Sequence, residues 1–155
     1  MKRRMIAVLF ALTFVFVSLS CQAYDDGLPP KAARNEFKAM YSNVRDVEWD
    51  REGVNWSVSY EIDRVEYESL YTSDGRWLMT QKEVSYSNVP QEIKAYLASS
   101  SEYGSLRLDD NTVEYFQTPS GNFYRFELES NGRDIEVDVS EDGTVSLARR
   151  ELFGD

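Results

Sequence analysis

Apolar positions along this chain keep two different periods, and the switches between them mark out its elements. Over residues 29–41, Ala33, Phe37, Met40 and Tyr41 fall at the spacing of one helical face, with Pro30 suited to the first turn. Beyond them Val54, Trp56, Val58 and Tyr60 alternate with Asn55, Ser57 and Ser59, the two-residue period of a half-buried strand. Residues 64–71, rich in Val, Tyr and Glu, predict another strand. Ser73-Asp74-Gly75 is turn chemistry that joins it as a hairpin to Trp77-Leu78-Met79.

The same order then recurs. Val89, Ile93, Tyr96 and Leu97 repeat the helical spacing, and Pro90 stands where Pro30 stood. Tyr124, Phe126 and Leu128 alternate with Arg125, Glu127 and Glu129, and Ile135, Val137 and Val139 alternate with Glu136 and Asp138. Glu141-Asp142-Gly143 repeats the turn, with Val145 and Leu147 beyond it. Tyr41-Ser42-Asn43-Val44 leads toward Trp49 in the first copy, and Tyr103-Gly104-Ser105-Leu106-Arg107-Leu108 is read as the matching first strand of the second. The pattern predicts an α+β fold made of a tandem repeat of helix plus antiparallel strands, about 29–86 and 87–150. A unit of about 60 residues is marginal alone, so the two copies are expected to share one continuous antiparallel sheet with two helices on one face.

Residues 1–23 differ from the rest. Lys2, Arg3 and Arg4 precede an uncharged apolar run over 5–17, too short to span a membrane comfortably and of the kind that opens a secretory signal. Small residues Cys21 and Ala23 suit a cut before Tyr24, leaving 24–155 as a single domain in the periplasm without cysteine or disulfide. A rival reading makes Cys21 a lipid anchor, but Leu19 lies two places before it where a lipoprotein signal has its aliphatic residue three before. Loss of the three basic residues takes the net charge from −10 to about −13. Such a surface repels nucleic acid and anionic lipid and favours basic partners or cations.

At these residues the chain resembles the PepSY-like periplasmic proteins of gut Bacteroidota, whose fold is similar to that of beta-lactamase inhibitor protein. The matching elements are residues 41–49 with Val47-Glu48-Trp49, Asp74-Gly75-Arg76-Trp77-Leu78, Val89-Pro90 and Asp142-Gly143. Their order and spacing carry the resemblance, since each alone is common. The family often has proline after the tyrosine, where Ser42 and Gly104 stand here. The resemblance implies an exported inhibitor-like fold, and fold alone confers no activity.

Chemistry is limited by what is missing. The chain has no histidine, which excludes imidazole-activated nucleophiles and histidine-based zinc sites. Paired acids such as Asp109 and Asp110 could serve a glycosidase, but neighbouring acids usually point apart. No enzymatic activity and no cofactor is expected. Calcium is the alternative, with Asp109, Asp110 and Asp142 as the turn acids that could hold it, in a structural or envelope-stress protein.

The outward face of the sheet offers a better candidate. If Tyr124, Phe126, Leu128, Ile135, Val137 and Val139 point to the helices, then Glu127, Glu129, Glu136 and Asp138 point away together, and Glu66 and Glu68 extend that acidic face in the first copy. An unidentified, basic protein partner is the expected occupant. Among the tryptophans, Trp56 belongs to the inward set, and Trp77 is the expected half-exposed anchor.

Overall fold

The computed structural model describes residues 28–148; the expected export signal, with Cys21, lies outside the described residues. Two prolines set where the helices begin. Pro30 and Pro90 stand immediately before α1 (Lys31–Met40) and α2 (Gln91–Ser99), at φ −54° in both cases. Proline has no N–H to leave unsatisfied there, and its carbonyl accepts the first helical bond, from Arg34 N at 3.1 Å and Lys94 N at 3.2 Å. Each helix buries one stripe: Ala33 and Phe37 from α1, Ile93 and Leu97 from α2. Met40, expected in the first stripe, is 38% exposed because α1 stops there and Tyr41 is already extended.

After α1 come β1 (Arg45–Glu52), β2 (Asn55–Ile62), β3 (Val65–Thr72) and β4 (Trp77–Ser85); after α2 come β5 (Arg107–Leu108), β6 (Thr112–Thr118), β7 (Gly121–Ser130), β8 (Arg133–Ser140) and β9 (Val145–Leu147). They form one antiparallel sheet in the order β1-β2-β3-β4-β6-β7-β8-β9, with β5 lying against β7. Two hairpins turn on Asp63-Arg64 and Asn131-Gly132, whose positive φ values (51° and 66°, 53° and 72°) match the twist of the strands they join.

One strand stands elsewhere than expected. Residues 103–108 give only the two-residue β5, preceded by turns, and the partner that β7 needs is β6. In β6 both faces carry apolar side chains, Val113 on one and Phe116 on the other, so its residues show no simple polar alternation.

The pairings place both helices on the same side. Phe37 of α1 packs with Val58, Tyr60 and Tyr71, while Ile93 and Leu97 of α2 pack with Val113, Phe126, Leu128, Val137 and Val139. These strand residues share one pleat face, because Val58 lies opposite Ser69, Ser69 opposite Thr80, and Thr80 opposite Gln117, an even step from Val113. Trp56 is buried as its alternation requires. Under α1 the hydroxyls satisfy one another: Tyr41 and Thr80 at 2.7 Å, Thr80 and Ser69 at 2.7 Å, Ser69 and Tyr60 at 3.0 Å.

Both Asp-Gly turns press against a helix. A Cβ on Gly75, whose φ is 93°, would stand 2.7 Å from the carbonyl carbon and Cβ of Ala32 in α1; on Gly143, φ 92°, it would stand 3.1 Å from the ring of Tyr96 in α2. Glycine is required for the turn and for the approach. Gly75→Ala is therefore expected to cost more than about 1 kcal/mol. Phe126→Ala, emptying a fully buried site, is expected to cost about 3–5 kcal/mol. Urea unfolding checks both, as a lowered midpoint with an unchanged slope.

Candidate functional site

Among the described residues no helix covers the opposite face of the sheet, so its character depends on side-chain size and charge. β2 presents small groups there. Ser57 lies opposite Asp50 of β1 and Leu70 of β3; Ser59 lies opposite Glu48 and Glu68. The acids of β1 and β3 thus look across a low serine floor. In the next row Glu61 lies opposite Glu66, and Glu83 of β4 opposite Glu114 of β6. Between them runs a groove of about 410 Å³ lined by Asp46, Glu48, Glu61, Glu66, Glu68, Glu83 and Glu114, with Ser59 and Gln81.

Its carboxylates are not at ease. Burial first, and then the charge of Asp50, raises the pKa of Glu68, although Gln81 Nε2 donates to Glu68 Oε2 at 2.7 Å and opposes the shift. Glu83 is raised by burial and by Asp110 and Glu66. Burial raises Glu114 most, with Glu136, Glu83 and Glu127 adding to it and Arg125 opposing. Among the described residues no ion pair reaches these groove acids; the pairs join Arg107 to Glu129, and Arg125 to Glu136 and Asp138. Lys82 and Tyr67 also line the groove, and the Lys82 ammonium lies 5.2 Å from the ring centre of Tyr67 and 5.8 Å from that of Tyr115.

The remainder of the open face is built differently. Leu70, Met79 and Phe116 are buried there, flanked by Leu78 and Phe123, and the Phe116 and Phe123 rings stack at 4.8 Å. The Arg125 guanidinium lies 4.8 Å from the centre of Phe116 and bonds both oxygens of Asp138, at 2.8 and 3.1 Å. Burial alone would lower its affinity for a proton; the hydrogen bond and charge of Asp138 outweigh that and raise it.

The acids singled out in the sequence therefore divide. Glu66 and Glu68 line the groove. Glu127, Glu129, Glu136 and Asp138 share its sheet face, as the pairings require, but lie toward β7 and β8, where Arg125 holds Asp138 and Glu136, and Arg107 holds Glu129. Trp77 is half-buried on the helix side, its Nε1 donating to Thr80 Oγ1 at 2.9 Å, and it does not join these acids. Sequence reasoning missed Glu83 and Glu114, the pair at the middle of the sheet, because Glu114 lies in the unrecognised strand. The polar run Thr80-Gln81-Lys82-Glu83 carries no apolar alternation that would extend β4 as far as Glu83.

The turn acids also part. Asp109 converges with Glu127 and Asp134, their carboxylate oxygens lying within 4.8 Å of one another, all exposed. They supply three of the roughly six to eight oxygens that calcium takes. Asp110 bonds the neighbouring amide of Asn111, and Asp142 accepts from Thr144 N at 3.0 Å in the β8–β9 turn.

The family described as "Putative beta-lactamase-inhibitor-like, PepSY-like" matches residues 58–146. Among solved structures the chain is similar to a BLIP-like protein of Bacteroides fragilis, 25% identical, with a TM-score of 0.62 over 79% of this chain and 85% of that one. It is similar in fold to a protein of Bacteroides eggerthii described among "putative periplasmic proteins", 15% identical, with a TM-score of 0.64 over 83% and 97% of the two chains. A DUF2874 family protein of Bacteroides ovatus, also 15% identical, gives a TM-score of 0.66 over 82% and 94%. No curated protein matches the chain. Among the described residues no helix is long and apolar enough to cross a membrane.

A carboxyl with a raised folded-state pKa holds its proton more tightly folded than unfolded. Its contribution to stability is present below the unfolded value and is lost as pH rises through the folded one. Glu114→Gln removes that loss, so its melting temperature is expected to match the parent's near pH 4 and to exceed it at pH 7. Thermal unfolding across this range measures the difference; one that shrinks as pH rises would contradict the assignment.

Proposed function

The chain belongs to the PepSY-like, beta-lactamase-inhibitor-like family, and from that premise we propose that it is an exported, inhibitor-like binding module that captures a basic segment of a protein partner in its acidic groove, without catalysis. The groove carries this reading. Carboxylates from β1, β2, β3, β4 and β6 converge in a volume large enough for several side chains. Among the described residues no ion pair reaches them, although Lys82 also lines the groove, and the pKa values of Glu68, Glu83 and Glu114 are raised. Acids that destabilise a fold and face solvent in a groove are the mark of a surface kept for binding.

Export is supported by the basic start and apolar run of residues 1–17 and by the description of the Bacteroides eggerthii protein as periplasmic. Lipidation at Cys21 would tether the same domain to a membrane surface and leave the groove unchanged. The lack of histidine excludes imidazole chemistry, and the charge of the groove is suited to complementarity.

Calorimetric titration of the chain from Tyr24 onward with a lysine-rich peptide tests the reading. Affinity is expected to fall as salt rises. Replacing Glu68, Glu83 and Glu114 together by glutamine is expected to weaken it by at least about tenfold, whereas glutamine at Glu127 and Glu136 changes it little. If the second variant were the one to lose binding, the site would lie on β7 and β8 instead.

A further inference from the structure

The strand that bounds the groove, β1, is an edge of the sheet, with β2 as its one partner among the described residues. An edge strand directs every second set of backbone N–H and C=O groups outward, unpaired by its own sheet. Between Arg45 and Glu48 the register against β2 shifts, and Asp46 sits at φ 50°, so the regular edge is the five residues from Glu48 to Glu52. The opposite edge, β9, has three residues.

Side chains on that regular stretch alternate in chemistry. Glu48, Asp50 and Glu52 stand on the open face, opposite Ser59, Ser57 and Asn55. Trp49 and Arg51 face the other way, Trp49 half-buried against Phe37 and Tyr71 and Arg51 with its guanidinium 5.9 Å from the ring centre of Trp56; Val47, 43% exposed, lies within the register shift. Successive acids on one face of a strand are about 6.8 Å apart, the same spacing at which a neighbouring strand presents its own alternate side chains. Side chains directly opposite in such a pair approach to about 5 Å at Cβ.

We propose that β1 receives an extended partner segment as an added strand, one whose residues alternate between basic and apolar. Its basic side chains lie over Glu48, Asp50 and Glu52 and reach toward the groove; its apolar ones lie beside Trp49 and the aliphatic stem of Arg51, whose guanidinium is drawn over the Trp56 ring. Backbone hydrogen bonds along the edge hold the segment, and the alternation sets its register. A second copy of this chain is a poor occupant, because pairing β1 with itself brings acid against acid on the open face. The charges that defend the edge against self-pairing therefore select a basic strand. Glu68 adds to this field from across the serine floor, since Asp50 is among the groups that raise its pKa.

This inference rests on the groove binding basic segments, and one peptide series separates the two. The chain from Tyr24 onward is titrated by fluorescence anisotropy with four labelled peptides of equal composition: one alternating lysine and valine, one with its lysines in a block, and two alternating peptides N-methylated at either the lysine or the valine amides. The alternating peptide is expected to bind best. Methylation of one amide set, the set facing β1, is expected to weaken binding by at least about tenfold, while the other set leaves it near the parent. If the block and both methylated peptides bind as well as the alternating one, charge capture stands and strand addition is overturned. If none of the four binds, both readings fall. The exposed substitutions Glu48→Lys and Asp50→Lys, made together, are expected to abolish the preference for the alternating peptide; a preference that survives them would also overturn the proposal.

Discussion

The pairing of β4 with β6 is the constraint on which the rest depends. It runs without a break from Thr80 opposite Gln117 to Ser85 opposite Thr112, and it is where the two halves of the sheet meet. Without it β4 and β6 would each be open edges, and two small helix-bearing sheets would face water separately. With it, Val84 and Val113 meet on the helix side while Glu83 and Glu114 meet on the other. One backbone ladder thus closes the core and places like charges side by side.

One-sided cover explains the chemistry of the open face. α1 and α2 shield two core clusters on the same side, so whatever the opposite face buries it must bury with its own side chains. Toward β7 it does this conventionally, with Phe116 and Phe123 stacked and Arg125 lying across them in the grip of Asp138. Toward β1 it does not: Ser57 and Ser59 leave a floor low enough for a groove, and the acids around it repel one another. Within one sheet, Arg125 and Arg107 hold Asp138, Glu136 and Glu129 at one end and leave Glu127 among Asp109 and Asp134, while among the described residues no ion pair reaches the groove acids at the other.

Much of the fold was legible along the chain. Helical spacing ended in burial at Ala33, Phe37, Ile93 and Leu97, and two-residue alternation ended in burial at Val58, Phe126, Leu128, Val137 and Val139. Asp-Gly turns were readable as turns, though not as the points where Gly75 touches α1 and Gly143 touches α2. The strand at residues 112–118 was not legible, because a strand with apolar groups on both faces has no simple alternation to show. Without that strand the sequence alone centres the acidic face on Glu127, Glu129, Glu136 and Asp138, and nothing in it distinguishes Arg125, which pairs with Glu136 and Asp138, from the other outward polar residues.

By itself, then, the sequence determined which residues face inward, because burial demands apolar side chains at the period of each element and local turn chemistry sets where elements stop. It also determined that the outward residues are mostly acids and that no histidine is present for catalysis. Only the tertiary structure decided which acids are neighbours and which are neutralised. Charge interaction depends on distance across strands far apart in the chain, and those distances follow from register and strand order: Glu83 stands beside Glu114, and Glu48 across from Glu68, because the sheet pairs them so.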